Sequence, residues 1–129
     1  MIVVDASVLA NAMGDDGADG ARARGALADQ DVSVPDLVDV EVVSVLRRRW
    51  LAKTLTARRF AAAITDLAAL PADRYPVLSF MPRAYELRAN VSTYDATYLA
   101  LAEQLGCPLI TADTRLAAAP GPRCAFTVL

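Results

Sequence analysis

The chain has 129 residues, of which 55% are hydrophobic, and a formal net charge of −2. This length fits one domain with a substantial core, and we expect a single domain over residues 1–129. The slightly acidic balance excludes general attraction to phosphate as a way of holding nucleic acid, so any such role must depend on a local site. The chain has no histidine, which removes the commonest general base near neutral pH and the commonest zinc ligand.

Apolar runs and cysteine usage bear on the cellular compartment. No apolar run approaches the ~20 residues that span a bilayer, and the N-terminus lacks the pattern of a signal peptide. Cys107 and Cys124 are the only cysteines and do not form a C-x-x-C pair. This usage argues against a disulfide scaffold or a zinc knuckle and fits a reducing cytosol. We therefore expect a cytoplasmic protein with no membrane role.

The first half of the chain alternates short β-rich runs with longer helical runs. Strands are predicted at residues 1–5 and 32–35. Helices are predicted at residues 6–13, 21–30, 36–53 and 57–70, with a turn-rich loop at 14–20. The third helix is rich in valine, but its apolar positions 38, 42, 45 and 46 recur at helical spacing. Thr56 is placed to cap the fourth helix.

The second half continues the same alternation. Strands are predicted at residues 74–80, 107–111 and 125–129, and helices at 82–90, 92–106 and 113–121. Short strands separated by helices predict a mainly parallel sheet that is covered on both faces, and hence an α/β fold.

Four carboxylates stand out, although each has an ordinary structural explanation when taken alone. Asp5 and Asp113 each follow a strand and could cap the next helix. Asp95 follows Ser92 at capping-box spacing, in a first turn where the helix dipole favours negative charge. Glu41 borders an apolar stripe and could reach water. These explanations stay open for each residue by itself.

The same four residues have a different meaning as a group. Asp5 and Asp113 follow the C-terminal ends of two predicted parallel strands, and Asp95 continues the buried face of its helix. Ligands of open α/β sheets bind at this edge, where the strand order reverses. If the first and fourth strands are neighbours, Asp5 and Asp113 lie close together and Glu41 can point into the same crevice.

Such a cluster needs a cation or protons. Two carboxylates ~5 Å apart repel by about 3 kcal/mol at an effective dielectric of ~20. A helix dipole, worth about 1 kcal/mol, cannot offset several such pairs. A set of carboxylate oxygens suits Mg²⁺ or Mn²⁺, whereas the lack of histidine and of paired cysteines disfavours zinc.

Four segments of the chain resemble the PIN-domain ribonucleases, and more narrowly the VapC toxins of bacterial type II toxin–antitoxin modules. They are "IVVDASVLAN", "DLVDVEVVSVL", "LRANVSTYDATYLALAEQLG" and "PLITADTRLAAAPG". The similarity spans nearly the full chain in the family's order. It implies a three-layer α/β/α fold around a parallel sheet of about five strands. It also implies Mg²⁺- or Mn²⁺-dependent endonucleolytic cleavage of RNA, with tRNA or rRNA as the expected target.

The resemblance also implies roles for particular residues and partners. The family's catalytic acidic quartet is matched by Asp5, Glu41, Asp95 and Asp113. Asp5 and Asp95 are the foremost expected metal ligands, with Asp113 as a further one. Polar residues that support the site are expected at Ser7, Asn90 and Thr111. The family's toxins usually form homodimers and are neutralised by a cognate VapB antitoxin, so we expect a homodimer and a toxin–antitoxin hetero-oligomer.

Basic residues are densest at residues 47–53. This stretch could be a solvated helix end, since cations suit a helix C-terminus, or it could grip RNA phosphates. Direct RNA contacts are predicted for Arg48, Arg88 and Arg115.

Three other kinds of protein share parts of this pattern. A phosphotransfer receiver domain requires a lysine after a late strand, but the only lysine, Lys53, is in mid-chain. A haloacid-dehalogenase-type phosphatase requires D-x-D, and Ser7 occupies the second acidic position. A PIN-like module that binds RNA or protein without cleaving remains the alternative of a different class, and the complete quartet argues against it.

Overall fold

A computed structural model describes residues 1–129. It contains one five-stranded sheet with the strand order β3-β2-β1-β4-β5, and every neighbouring pair is parallel. The strands are β1 (Ile2–Val4), β2 (Val32–Pro35), β3 (Ala72–Tyr75), β4 (Leu109–Thr111) and β5 (Phe126–Val128). The predicted parallel sheet of about five strands is therefore confirmed.

Seven helices cover the sheet. They are α1 (Ala6–Gly14), α2 (Ala18–Leu27), α3 (Val38–Leu51), α4 (Ala57–Ala69), α5 (Met81–Glu86), α6 (Thr93–Leu105) and α7 (Thr114–Ala118). Helices α1 to α4 pack against one another, while α6 packs on α5 and on the central strands. Every residue of β1 is buried, as expected for a strand covered on both faces. The result is the predicted three-layer α/β/α arrangement.

Helix α6 is the central helix of the fold. Its residues 96–102 are all buried, which is the burial of a core helix. The helix begins after Ser92, whose hydroxyl accepts a hydrogen bond from the Asp95 N–H at 3.1 Å. It ends at Gly106, which takes the left-handed conformation with φ 63°. The prediction of this helix from its capping residues is confirmed.

The third strand differs from its prediction. The sequence pattern predicted a strand at 74–80, but β3 ends at Tyr75 and Leu78–Phe80 forms a 3₁₀ turn. Pro76 lacks the N–H that a ladder needs, and the chain turns so that Phe80 N donates to Val77 O at 2.9 Å. Phe80 is buried, so its apolar character reflects the core and not a strand.

Two helices are also shifted. The predicted helix 21–30 begins earlier, at Ala18, and ends at Leu27, because Asp29 takes a left-handed conformation with φ 59°. The predicted helix 82–90 is the six-residue α5, after which the chain continues in turns. No helix of the structure has both the length and the apolar character to cross a membrane.

Candidate active site

Asp5 follows β1 directly and is only 6% exposed. Its Oδ1 accepts hydrogen bonds from the Val8 N–H at 3.1 Å and from the Ser7 hydroxyl at 2.6 Å. Its Oδ2 accepts a hydrogen bond from the Thr111 hydroxyl. Asp5 therefore does cap α1. A carboxylate offers about four lone-pair sites, so these three donors fix the side chain and leave a position for a ligand.

Asp113 is brought to Asp5 by the pairing of β1 with β4. The register pairs Val4 with Ile110, and Asp5 N donates to Ile110 O at 3.1 Å. The Thr111 hydroxyl that donates to Asp5 also accepts from the Asp113 N–H at 3.0 Å. A single buried threonine thus links the backbone and side chains that follow the two strands.

Asp113 also caps α7, as its ordinary structural explanation proposed. Its Oδ1 accepts from the backbone N–H groups of Arg115 at 2.9 Å and Leu116 at 3.4 Å. The Arg115 side chain lies 3.6 Å from the same carboxylate but is 92% exposed, so this ion pair is weak.

Glu41 is held by Tyr98, a contact that the sequence did not predict. The Tyr98 hydroxyl donates to Glu41 Oε1 at 2.7 Å, which joins α3 to the central helix α6. Burial raises the pKa of Glu41, and the charges of Asp95 and Asp5 raise it further, while the hydrogen bond from Tyr98 lowers it. The pKa of Tyr98 is also raised, chiefly by burial, so the tyrosine remains a proton donor. No local pattern pairs these two residues, which are 57 positions apart in the chain.

Asp95 lies in the first turn of α6 and is half-buried. Burial raises its pKa above the ordinary aspartate value, and the negative charges of Asp5 and Asp113 raise it further. The hydrogen bond with Ser92 acts in the opposite direction. The charges of Asp5 and Asp113 thus reach Asp95, and those of Asp5 and Asp95 reach Glu41, so the four acidic side chains lie near the C-terminal edge of β1 and β4.

Two cavities adjoin the carboxylates. The first, about 240 Å³, is lined by Asp95, Asp113, Asn90 and Arg115, among others. The second, about 340 Å³, is lined by Glu41 and Arg48 together with neighbouring residues of α3 and α6. The polar residue expected at Asn90 therefore faces the carboxylates, although its side chain is exposed and makes no hydrogen bond to them.

The three arginines predicted to contact RNA have different surroundings. Arg48 lines the cavity of Glu41, and Arg115 lines that of Asp95 and Asp113. Arg88 lines neither cavity, because its guanidinium lies over the Tyr85 ring at 4.0 Å. Arg49, also in the basic stretch, turns inward, where its Nη2 donates to Asn11 Oδ1 at 2.6 Å.

The donor set fits a hard divalent cation. Asp5, Glu41 and Asp95 make no ion pair with lysine or arginine. The atoms that these side chains offer to a metal ion are all carboxylate oxygens. No group of three or more acidic or cysteine side chains stands in a geometry that could hold an ion by itself. The carboxylates therefore do not form a closed cage of protein ligands. Mg²⁺ is usually bound in this way, with water in its other positions.

The fold and this site define an α/β protein with a candidate divalent-cation centre at the switch point of a parallel sheet. The family model described as PIN domain matches residues 2–122. Ribonuclease VapC9 of Mycobacterium tuberculosis is 43% identical over 129 residues, which cover 100% of this chain and 98% of that protein. The chain therefore belongs to the PIN-domain family, among the VapC ribonucleases.

Solved structures agree with this fold. VapC20 of Mycobacterium tuberculosis, described as a sarcin-ricin loop cleaving toxin, superposes with a TM-score of 0.72 at 22% identity and covers 92% of this chain and 94% of that chain. VapBC2 of Rickettsia felis, bound to a DNA fragment from its promoter, gives a TM-score of 0.67 at 10% identity and covers 99% of this chain and 98% of that chain. At these identities the likeness supports the fold alone.

Proposed function

We propose that this VapC-group ribonuclease hydrolyses RNA phosphodiester bonds with Mg²⁺, for which Mn²⁺ can substitute. The observation that carries the proposal is the convergence of four carboxylates at one sheet edge, three of which form no ion pair within the chain. Such a cluster is electrostatically costly unless a cation binds it. Asp5 and Asp95 are the proposed main ligands, with Asp113 as a further one.

The protein's part in this chemistry is to hold the acidic side chains rigidly. Asp5 is fixed by three donors, and the Thr111 hydroxyl ties it to the backbone N–H of Asp113. When bound, a divalent cation supplies a Lewis acid that polarises the phosphate and lowers the pKa of water. Glu41, whose pKa is raised by burial, is the proposed acceptor of a proton from the attacking water.

Arginines beside the two cavities are the proposed contacts to the RNA backbone. Arg48 and Arg115 are exposed, and each lines one of the two cavities that adjoin the carboxylates. Phosphate contacts of this kind position a nucleic acid without reading its sequence. We leave Arg88 out of this proposal because Tyr85 already holds its guanidinium.

The direct test is cleavage of purified RNA with mapping of new 5′ ends. We expect cleavage in Mg²⁺ or Mn²⁺, none in EDTA, and none by Asp95→Asn. The matched control is Asp66→Asn, which replaces an exposed aspartate on α4 and should cleave like the wild type. If RNA were bound but no new ends appeared in Mg²⁺, the chain would be a binding module without catalysis.

We also propose that the protein acts in the cytoplasm as a toxin that is neutralised by a VapB-type antitoxin. The similarity to VapC ribonucleases and the fold shared with a VapBC assembly support this partner. Expression of the chain should arrest growth, and co-expression with a small protein encoded beside its gene should relieve the arrest. The proposed homodimer and hetero-oligomer can be measured by light scattering of the co-purified proteins.

A further inference from the structure

An exposed aromatic ring stands beside the acidic cluster. Tyr94 immediately precedes Asp95 in the first turn of α6, and it is 64% exposed. It lines the cavity of about 340 Å³ that Glu41 also lines. An exposed tyrosine is unremarkable anywhere on a surface, but this one is adjacent to two members of the quartet.

The tyrosines of this region differ in what their side chains contact. Tyr98, one turn further along α6, is 1% exposed and donates its hydroxyl to Glu41. The ring of Tyr85, on α5, is covered by the Arg88 guanidinium at 4.0 Å. Tyr94 makes no side-chain hydrogen bond and has no cation over its ring, so its face is available to a flat partner.

The other walls of the cavity suit a nucleotide. Val40, which is 74% exposed, and Val45 supply apolar surface. Arg48 supplies a positive charge and makes no ion pair within the chain, its only side-chain contact being Ser44 Oγ at 3.4 Å. Aromatic faces that stack bases, combined with basic groups that bind phosphates, are how proteins hold single-stranded nucleic acid.

We propose that Tyr94 and Arg48 form a stacking subsite for the nucleotide next to the scissile phosphate of single-stranded RNA. The inference rests on the proposed function and extends it from phosphate chemistry to substrate binding. Without its cation the acidic cluster repels phosphate, so groups beside the cluster contribute to RNA affinity, and in this cavity an aromatic ring and a cationic side chain lie next to Glu41. A second copy of the chain is the competing occupant, and measurement of self-association in the Tyr94 variant separates the two.

The first test separates binding from chemistry. Tyr94→Ala should raise KM for cleavage of a short unstructured RNA about tenfold, within the range that loss of one stacked base costs, and change kcat little. Tyr94→Phe keeps the ring and should restore the wild-type KM. The matched control is Tyr85→Ala, which removes a tyrosine that is 67% exposed and lines neither cavity, and it should leave KM unchanged.

The second test measures directly whether a base stacks on the aromatic ring at position 94. The chain has one tryptophan, Trp50, so a Trp50→Phe, Tyr94→Trp double variant carries its only indole at the subsite. In stopped flow, which observes binding before cleavage, short oligoadenylate and oligouridylate should quench this fluorescence. An abasic oligonucleotide with the same phosphates should not quench it.

Several results would overturn the subsite. One is an unchanged KM for Tyr94→Ala, and another is equal quenching by the abasic oligonucleotide. A third is a loss of self-association in Tyr94→Ala at unchanged KM, which would assign the ring to a protein interface. These outcomes are distinct from failure of the proposed function, because that failure would be a wild-type protein that cleaves no RNA in Mg²⁺, whereas the fluorescence test requires only binding.

Discussion

Partly buried carboxylates in two regions of this protein have pKa values that are shifted in opposite directions. At the C-terminal edge of the sheet, burial raises the pKa of Glu41 and Asp95, and neighbouring acids raise it further. At the other group, which we call the Glu103 clamp, Glu103 is bound by Arg83 and by the backbone N–H of Arg123. There, burial by itself would raise the pKa of Glu103, but these hydrogen bonds outweigh it and the pKa is lowered.

The geometry of the Glu103 clamp explains this difference. Arg83 donates from Nε to Glu103 Oε2 at 2.8 Å and from Nη2 to Oε1 at 3.1 Å, and Arg123 N donates to Oε1 at 2.8 Å. Arg83 Nη2 also donates to Gly121 O at 2.9 Å, which ties the loop before β5 to α5 and α6. The chain can therefore neutralise a carboxylate when the fold needs it. Because Asp5, Glu41 and Asp95 have no such arginine partner, the sheet edge is where we propose that an external cation binds.

The largest expected effect comes from removing one charge of the quartet. Asp95→Asn should lower the cleavage rate on the order of 100-fold or more, because it removes a charge that would hold the cation whose field stabilises the reacting phosphate. Its free energy of unfolding without metal should equal or exceed that of the wild type near neutral pH, since the substitution removes a poorly solvated charge. Single-turnover cleavage and urea denaturation measure the two quantities. A variant that was both inactive and much less stable would mean that Asp95 serves the fold.

The clamp should respond in the opposite way. Glu103→Gln should lower the free energy of unfolding by about 2 kcal/mol, because it weakens charge-assisted hydrogen bonds to a side chain that is 15% exposed. Cleavage should stay close to wild type at temperatures where the variant is folded. The matched control is Glu86→Gln, whose carboxylate also pairs with Arg83 but is 58% exposed and should cost less than about 1 kcal/mol. Equal losses of unfolding free energy in Glu103→Gln and Glu86→Gln would contradict the distinction between the buried and the exposed ion pair of Arg83.

Thr111 offers an intermediate case, since it serves both the fold and the site. Thr111→Val keeps the shape but removes the donor to Asp5 and the acceptor of the Asp113 N–H. We expect a loss of about 1 kcal/mol of stability and about tenfold in cleavage, as for other groups that orient metal ligands. Thr127→Val on β5, an exposed strand position, is the control and should change neither quantity. Unchanged cleavage by Thr111→Val would show that Asp5 needs no such support.

The smallest expected effect is on the pH dependence of stability in EDTA. Because the folded-state pKa values of Glu41 and Asp95 are raised, the stability they contribute is complete below the ordinary carboxyl range, about 4, and is lost as pH rises through the raised values. Glu103 has a lowered pKa, so its contribution is present above that range and is lost as pH falls through the lowered value. In urea denaturation at a series of pH values, Asp95→Asn should flatten the first slope and Glu103→Gln the second. If Asp95→Asn flattened the second slope and Glu103→Gln the first, the contrast between the two regions would be contradicted.

Local patterns in the sequence were sufficient to predict most of the fold and the sheet edge near which the four acidic residues lie. The strands before Asp5 and Asp113 and the caps of α6 depend on residues within a few positions of each other. The predicted bounds of the third strand were wrong because residues 77–80 have strand-like composition, whereas Pro76 cannot donate to a ladder and β3 ends before it, at Tyr75. The contacts of Tyr98 with Glu41 and of Arg83 with Glu103 join residues 57 and 20 positions apart, so no local pattern could reveal them.

Cation binding without RNA tests the central claim most directly. Mn²⁺ can be titrated into the protein and the unbound ion read by electron paramagnetic resonance, with Mg²⁺ added as a competitor. We predict that the wild type and Glu103→Gln bind Mn²⁺ equally, that Mg²⁺ displaces it, and that Asp95→Asn binds at least about tenfold more weakly. Equal binding by Asp95→Asn and the wild type, or no binding by either, would contradict the assignment of the acidic edge as a metal centre.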